Sequence, residues 1–321
     1  MLSVNVSGFT PSSLILMGIP GLEDFHIWFA APLTIMYTVT VLGNCVLLLT
    51  INTVTSLHKP MYLFISQLAL SDLVLSSSFV PKMLGLFWFN AGEIRFGDCL
   101  TQMLFVACTL SVESSIFSAM AFDRYVAVCN PLRYTSILTN ELITKIASAC
   151  LVRAILLVGP LPLLILRLKF CSRFIPHSFC EIMAVAKLSC ADIFIISVYS
   201  WTVIFILWSM DVFCIALSYL LILRTILVLP YKDRFKAFST CTSHVCAMSA
   251  FYLPIFFSSV LNKLHHSIPL FVQVILANAY LLLPPFINPL IFGVTLKAVQ
   301  QGGIQLLQKK IAMFPLSPAK K

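Results

Sequence analysis

The chain has 321 residues, of which 60% are apolar and only 10% charged. A water-facing surface needs roughly a quarter of its residues charged, so this composition excludes a soluble globular protein, along with disorder and a small disulfide-stapled scaffold. A formal charge of +9 would suit a nucleic-acid binder unless the cations have another use, and their positions decide that.

Seven stretches, 27–52, 61–86, 98–126, 142–165, 196–228, 235–262 and 269–294, are apolar and long enough to cross roughly 30 Å of hydrocarbon as helices. Ahead of them, residues 1–26 show no basic start followed by an apolar core, so no cleavable signal is expected. Asn5-Val6-Ser7 is a glycosylation sequon, with Asn5 as the acceptor. Span two carries Asp72, and span three carries Glu113 and ends in Asp123-Arg124-Tyr125. Ionisable groups inside a bilayer cost several kcal/mol, which makes them functional candidates. Two mid-bilayer carboxylates without a counter-ion must share a proton or hold a cation such as sodium. Alternatively, Asn44, Ser76 and Asn288 satisfy them by hydrogen bonds.

Cys99 tops span three, and Cys171, Cys180 and Cys190 follow in the longest loop, between spans four and five. Four cysteines on an oxidising side suit two disulfides, with three pairings open. His177 beside Cys180 could be read as a metal pair, but a disulfide would remove the thiolate. The fifth apolar stretch has no Gly or Pro to turn on and reads as one long helix projecting past the bilayer. Pro254 in span six, and Pro284, Pro285 and Pro289 in span seven, each remove a backbone donor and loosen the helix. In the tail, 295–321, Leu296, Val299, Ile304, Leu306 and Leu307 alternate with polar residues, compatible with a short amphipathic helix on the membrane surface.

Charge orients the bundle. On the C-terminal side lie thirteen Lys and Arg against three acids; on the other side, six against six. Basic loops stay in the cytoplasm, so the reading is an all-α, seven-transmembrane bundle with an extracellular N-terminus and a cytoplasmic C-terminus. The charge excess then faces anionic lipid rather than nucleic acid. The chain forms a single seven-transmembrane domain, 1–321.

MAFDRYVAVCNPLRY from Met120 to Tyr134 resembles the third-span signature of the olfactory receptors, a branch of the class A G-protein-coupled receptors. Gly43-Asn44, LHKPMYLFISQLALSDL from Leu57, Ser218-Tyr219, KAFSTCTSH from Lys236 to His244 and PPFINPLIF from Pro284 to Phe292 fit the same family. VPKMLGLFWFN from Val80, the span containing Asp211, and Phe251-Tyr252-Leu253-Pro254 resemble its class I, fish-like subgroup. The resemblance implies Cys99–Cys180 and Cys171–Cys190 bridges and a sodium-type site at Asp72 and Glu113. It implies a plasma-membrane receptor that binds a small odorant, engages a heterotrimeric stimulatory olfactory G protein and raises cyclic AMP. Asp123, Arg124, Tyr125, Tyr219, Lys236, His244, Asn288, Pro289 and Phe292 would form the switch and coupling end. Phe292 departs from the family, which usually has tyrosine there, so its hydroxyl is missing opposite Tyr219.

By the same resemblance, Val106, Ala107, Leu110, Ser111, Val203, Leu207, Tyr252, Phe256, Ser259 and Asn278 line an odorant pocket in the outer half of the bundle. Lys263 lies about three turns above Tyr252 on the same helix face. Class I receptors often recognise carboxylic acids, and Lys263 can either pair with such a group or snorkel into water. A seven-span transporter or channel, or a non-olfactory class A receptor, are the competing readings. No nucleophile–base pair, metal cluster or phosphate loop points to an enzyme.

Overall fold

The computed structural model describes residues 8–228, 230–263 and 269–304, without the side chains of 231–233, 235–237, 239, 240 and 259–263. Asn5, Leu306 and Leu307 therefore lie outside the described residues, as do the side chains of Lys236, Ser259 and Lys263. The helices are α1 His26–Thr53, α2 Pro60–Phe89, α3 Phe96–Cys129, α4 Tyr134–Ile137, α5 Asn140–Val158, α6 Pro160–Leu166, α7 Ile182–Ala186, α8 Phe194–Val228, α9 Tyr231–Lys263 and α10 Leu270–Thr295. Among the described residues, seven segments are long and apolar enough to cross a membrane, α5 and α6 together making the fourth. The seven-helix reading holds.

Local chemistry explains the helix ends and breaks. Pro60 opens α2 at a position whose N–H would be unpaired anyway. Asn90 closes it in the left-handed conformation, φ 54°. The fourth span, read from sequence as continuous, is interrupted between α5 and α6 because Pro160 and Pro162 cannot donate to the preceding turn. The fifth, α8, is one unbroken helix of 35 residues, about 52 Å long, as its lack of breakers predicts. The prolines inside α9 and α10 leave both helices running through.

Helix α3 is central and packs on α2, α5, α8 and α9, while α1 closes the ring against α2 and α10. Large apolar side chains such as Ile35, Leu156, Phe205 and Phe213 point outward as the lipid-covered face. One apolar cluster around Phe64, Phe117, Phe251 and Phe292 fills the half of the bundle nearer the C-terminal tail. A second cluster, including Leu14, Phe96, Phe170 and Phe179, continues from the opposite half into a cap.

That cap is a three-stranded sheet absent from the sequence reading. Strands β1 Ser13–Leu16, β2 Glu93–Arg95 and β3 Phe174–Ile175 stand in the order β2-β1-β3. β1 runs antiparallel to β2 and parallel to β3. Alternation buries Leu14 and Leu16 on one face of β1. Two disulfides tie the cap down: Cys99–Cys180 and Cys171–Cys190, with Cα atoms 5.5 and 5.2 Å apart. At the other end, residues 297–304 are helical, with Val299 and Gly302 buried. Gly302 lets this segment press on Thr50 and Leu57, where a Cβ would already be 3.0 and 3.2 Å away.

Candidate functional site

Three polar constellations lie inside the bundle, and each can be built from the helices that carry it. The first begins with Pro289. A proline at this position cannot donate to the carbonyl four residues earlier, which leaves the Pro285 oxygen unpaired in the membrane interior. Asn44 of α1 supplies the missing donor, Nδ2 to Pro285 O at 3.0 Å, and also donates to Thr40 O. Gly43 makes the approach feasible: a Cβ there would stand 2.9 Å from Pro289 Cβ. One residue before Pro289, Asn288 donates Nδ2 to both Asp72 oxygens at 3.2 and 3.1 Å. Asp72 and Glu113 are fully buried.

Of the three neighbours expected to satisfy these carboxylates, only Asn288 does so. Ser76 bonds the Asp72 backbone oxygen at 2.7 Å, and Asn44 is committed to α10. Both Glu113 oxygens, Asn288 Oδ1 and Ser111 Oγ have no hydrogen-bond partner among the described residues. An all-oxygen set with orphaned acceptors suits a hard monovalent cation or a proton and would reject a soft metal.

The second constellation was not recognised in the sequence. Arg153 of α5 grips Asp211 of α8 with two parallel bonds, Nη1 to Oδ1 at 2.9 Å and Nη2 to Oδ2 at 2.7 Å. Arg153 also donates to Ser115. Ser114 donates to Asp211 Oδ2 at 2.7 Å, and its oxygen lies 2.9 Å from the Tyr252 hydroxyl. Four spans thus meet in one network. The signal was available: a lone cation in span four and a lone acid in span five cannot both stay unpaired in hydrocarbon.

The third lies at the tail end of α3. Arg124 donates Nε and Nη2 to Asp123 Oδ2, at 2.9 and 2.5 Å, and the Tyr134 hydroxyl donates to Asp123 Oδ1 at 2.7 Å. Burial, with the adjacent carboxylate, pushes the Tyr134 hydroxyl above its ordinary value. Tyr125 packs with Tyr219 around Ile222, Ile226 and Cys241. The buried Tyr219 hydroxyl and both His244 ring nitrogens have no partner among the described residues. Phe292 is buried and meets the His244 ring edge-on, with centroids 6.1 Å apart.

The sequence-predicted pocket residues are only partly gathered. Ala107, Val203 and Leu207 pack together with Trp208, whose ring stands edge-on to Tyr252 at 6.0 Å. Val106 and Leu110 adjoin the cap-side cluster, and Ser111 is buried nearby in α3. Phe256, by contrast, is exposed beside Phe257. Asn278 faces α1 and α2, lining an apolar crevice of about 240 Å3 with Phe29, Met83 and Phe87. Its Oδ1 accepts from Ser178 of the cap at 2.6 Å.

In the cap, His177 is nearly enclosed, edge-on to Phe179 at 4.3 Å, and its Nδ1 accepts from Ser178 N. Burial lowers its pKa to about 3. With Cys180 oxidised, the metal pair considered for His177 has lost its thiolate.

Comparison with known proteins is consistent along the whole chain. The olfactory receptor family profile matches residues 33–310. Olfactory receptor 51E2 of Mus musculus is 46% identical over 311 residues, covering 96% of this chain and 95% of that one. Olfactory receptor 52K2 of Homo sapiens is 45% identical over 313 residues, covering 97% and 99%. Human olfactory receptor 52N4 is 44% identical over 310 residues, covering 96% and 97%.

Proposed function

The chain belongs to the olfactory receptor family of class A G-protein-coupled receptors, and we propose that it couples a small carboxylic-acid-type odorant to a stimulatory olfactory G protein. It is a multi-pass plasma-membrane receptor and not an enzyme. The proposed readout is a rise in cyclic AMP. The N-terminal cap faces the outside and the basic tail faces the cytoplasm, as the charge distribution supports.

The observation that carries this reading is the placement of Tyr252. Its ring touches Trp208 of the apolar cluster around Val203 and Leu207, while its hydroxyl reaches Ser114 of the Arg153–Asp211 network. A ligand that presses on this cluster therefore acts on a polar node shared by four spans. Tilting span six there would move the end of α9 that faces Arg124. Release of Arg124 from Asp123 is the local charge event that opens a docking face for the G protein. Lys236, Tyr219, His244 and Tyr125 would line that face.

Lys263 and Ser259 would hold the odorant's carboxylate, with Ala107, Val203, Leu207 and Tyr252 around its chain, an apolar site with few polar handles. Asp72 and Glu113, with Asn288, would hold a sodium ion that favours the resting arrangement; the partnerless Glu113 oxygens support this. Cyclic-AMP dose–response curves for a short fatty acid and its methyl ester test the counter-ion role. Lys263→Ala should weaken the acid alone, by roughly tenfold or more. Equal effects on both ligands would remove Lys263 from the site.

A further inference from the structure

A second cleft, of about 580 Å3 and lined by both charged and apolar side chains, opens between α2 and α3 under the cap, away from the odorant cluster. Lys82, Glu93, Arg95, Asp98, Gln102 and Phe105 define its chemistry. Lys82 rises from α2 to donate Nζ to Ala91 O at 2.7 Å and Glu93 O at 2.5 Å. An ammonium has three N–H groups, so one remains after these two bonds. Among the described residues, no carboxylate lies within ion-pair distance of Lys82. The nearby Glu93 carboxylate accepts instead from Ser13 Oγ at 2.7 Å.

The rest of the cleft is ordered along the membrane normal. Arg95 and Asp98 form an exposed ion pair at the rim, Nε to Oδ2 at 2.9 Å, leaving Arg95 donors free. Gln102 makes the floor, donating Nε2 to Ser78 O and accepting at Oε1 from Cys180 N. Phe105, half exposed, lies nearly two turns of α3 beyond Asp98, toward the bilayer centre. Exposed Trp28 and Trp88 at the same end of α1 and α2 mark the membrane interface. Rim zwitterion, cation and apolar lower wall thus follow one another in the order of an amphiphile.

We infer that this cleft binds the headgroup of a zwitterionic phospholipid from the leaflet on the cap side. The third Lys82 N–H and Arg95 take the phosphodiester oxygens, Asp98 stands beside the choline or ethanolamine, and an acyl chain runs over Phe105. A free carboxylate would satisfy Lys82 but would bring no cation to Asp98 beyond its Arg95 partner and would leave Phe105 uncovered. The site is separate from the odorant cluster and does not depend on which ligand the receptor senses.

Native mass spectrometry of the full-length receptor in mild detergent tests it, with dioleoylphosphatidylcholine, dioleoylglycerol and hexanoate as probes. The wild type should retain one phosphatidylcholine and no dioleoylglycerol. Lys82→Met and Arg95→Gln should each lower that occupancy roughly tenfold, the loss of one charge-assisted contact. Arg95 is exposed, so its variant remains informative if Lys82→Met folds poorly. Equal phosphatidylcholine retention in wild type and Arg95→Gln, equal retention of dioleoylglycerol, or hexanoate displacing the lipid would each overturn the assignment.

Discussion

Arg153 and Asp211, 58 residues apart in sequence, close a bidentate ion pair that joins the fourth and fifth spans inside the membrane. Removing one partner strands a charge in a poorly hydrated site, at a cost of about 3–5 kcal/mol. Arg153→Met and Asp211→Leu should each sharply reduce surface display. The double substitution Arg153→Met with Asp211→Leu should recover part of it, because no lone charge remains. A double variant as poor as the sum of the singles, by surface immunostaining, would separate the two residues energetically.

Gly43 and Asn44 make a paired prediction about span seven. Gly43→Ala brings a Cβ to 2.9 Å from Pro289 Cβ and should destabilise by about 1–3 kcal/mol through overpacking. Asn44→Leu leaves the Pro285 carbonyl without its donor, at a cost of about 1–3 kcal/mol. Thermal unfolding of the purified receptor reads both as a lowered midpoint.

How much of this was legible in the sequence depends on the range of the interaction. Seven spans follow from local composition, and the long α8 from the absence of Gly and Pro. The reach of Asn288 to Asp72 was among the alternatives, because polar groups in hydrocarbon have few partners to choose from. The cap sheet was not legible. β1 has only four residues and pairs with segments about 80 and 160 positions away, so no local period announces it. The Arg153–Asp211 pair was missed for another reason: both charges were set aside as membrane-interior groups, each alone in its span, and never matched with one another. Phe256 shows that the helix predicts a face only as well as its rotation is known.

Sodium sensitivity tests the acidic pair. If Glu113 and Asp72 hold sodium in the resting state, replacing external sodium by N-methylglucamine should raise basal cyclic AMP in the wild type. Glu113→Gln should remove that dependence while keeping surface display. A wild type indifferent to sodium would leave a shared proton as the occupant.

The cap should be acid-sensitive through His177. Its pKa falls from an ordinary 6.5 to about 3 on burial, so below pH 6.5 the unfolded chain binds a proton that the folded cap refuses. Stability is therefore fully present above 6.5 and declines as pH falls toward 3. Glu181, raised by burial, acts in the opposite sense: above the ordinary carboxylate range the folded state holds the extra proton, and stability falls as pH rises. The comparison is therefore between wild type and His177→Phe. Melting points measured from about pH 7 to about pH 5 should fall more steeply in the wild type. Parallel slopes would remove His177 as the cause.

The central claim is that an odorant at one end of the bundle frees Arg124 at the other for a G protein. The most direct measurement is surface-normalised cyclic AMP against a panel of short acids, alcohols and aldehydes, with and without the stimulatory olfactory α subunit. The account predicts a saturable response to at least one acid that requires the α subunit. It also predicts loss of that response in Arg124→Ala, a variant that should still reach the surface. Ligand-evoked current or uptake without any G protein, or an undiminished cyclic-AMP response in Arg124→Ala, would contradict it.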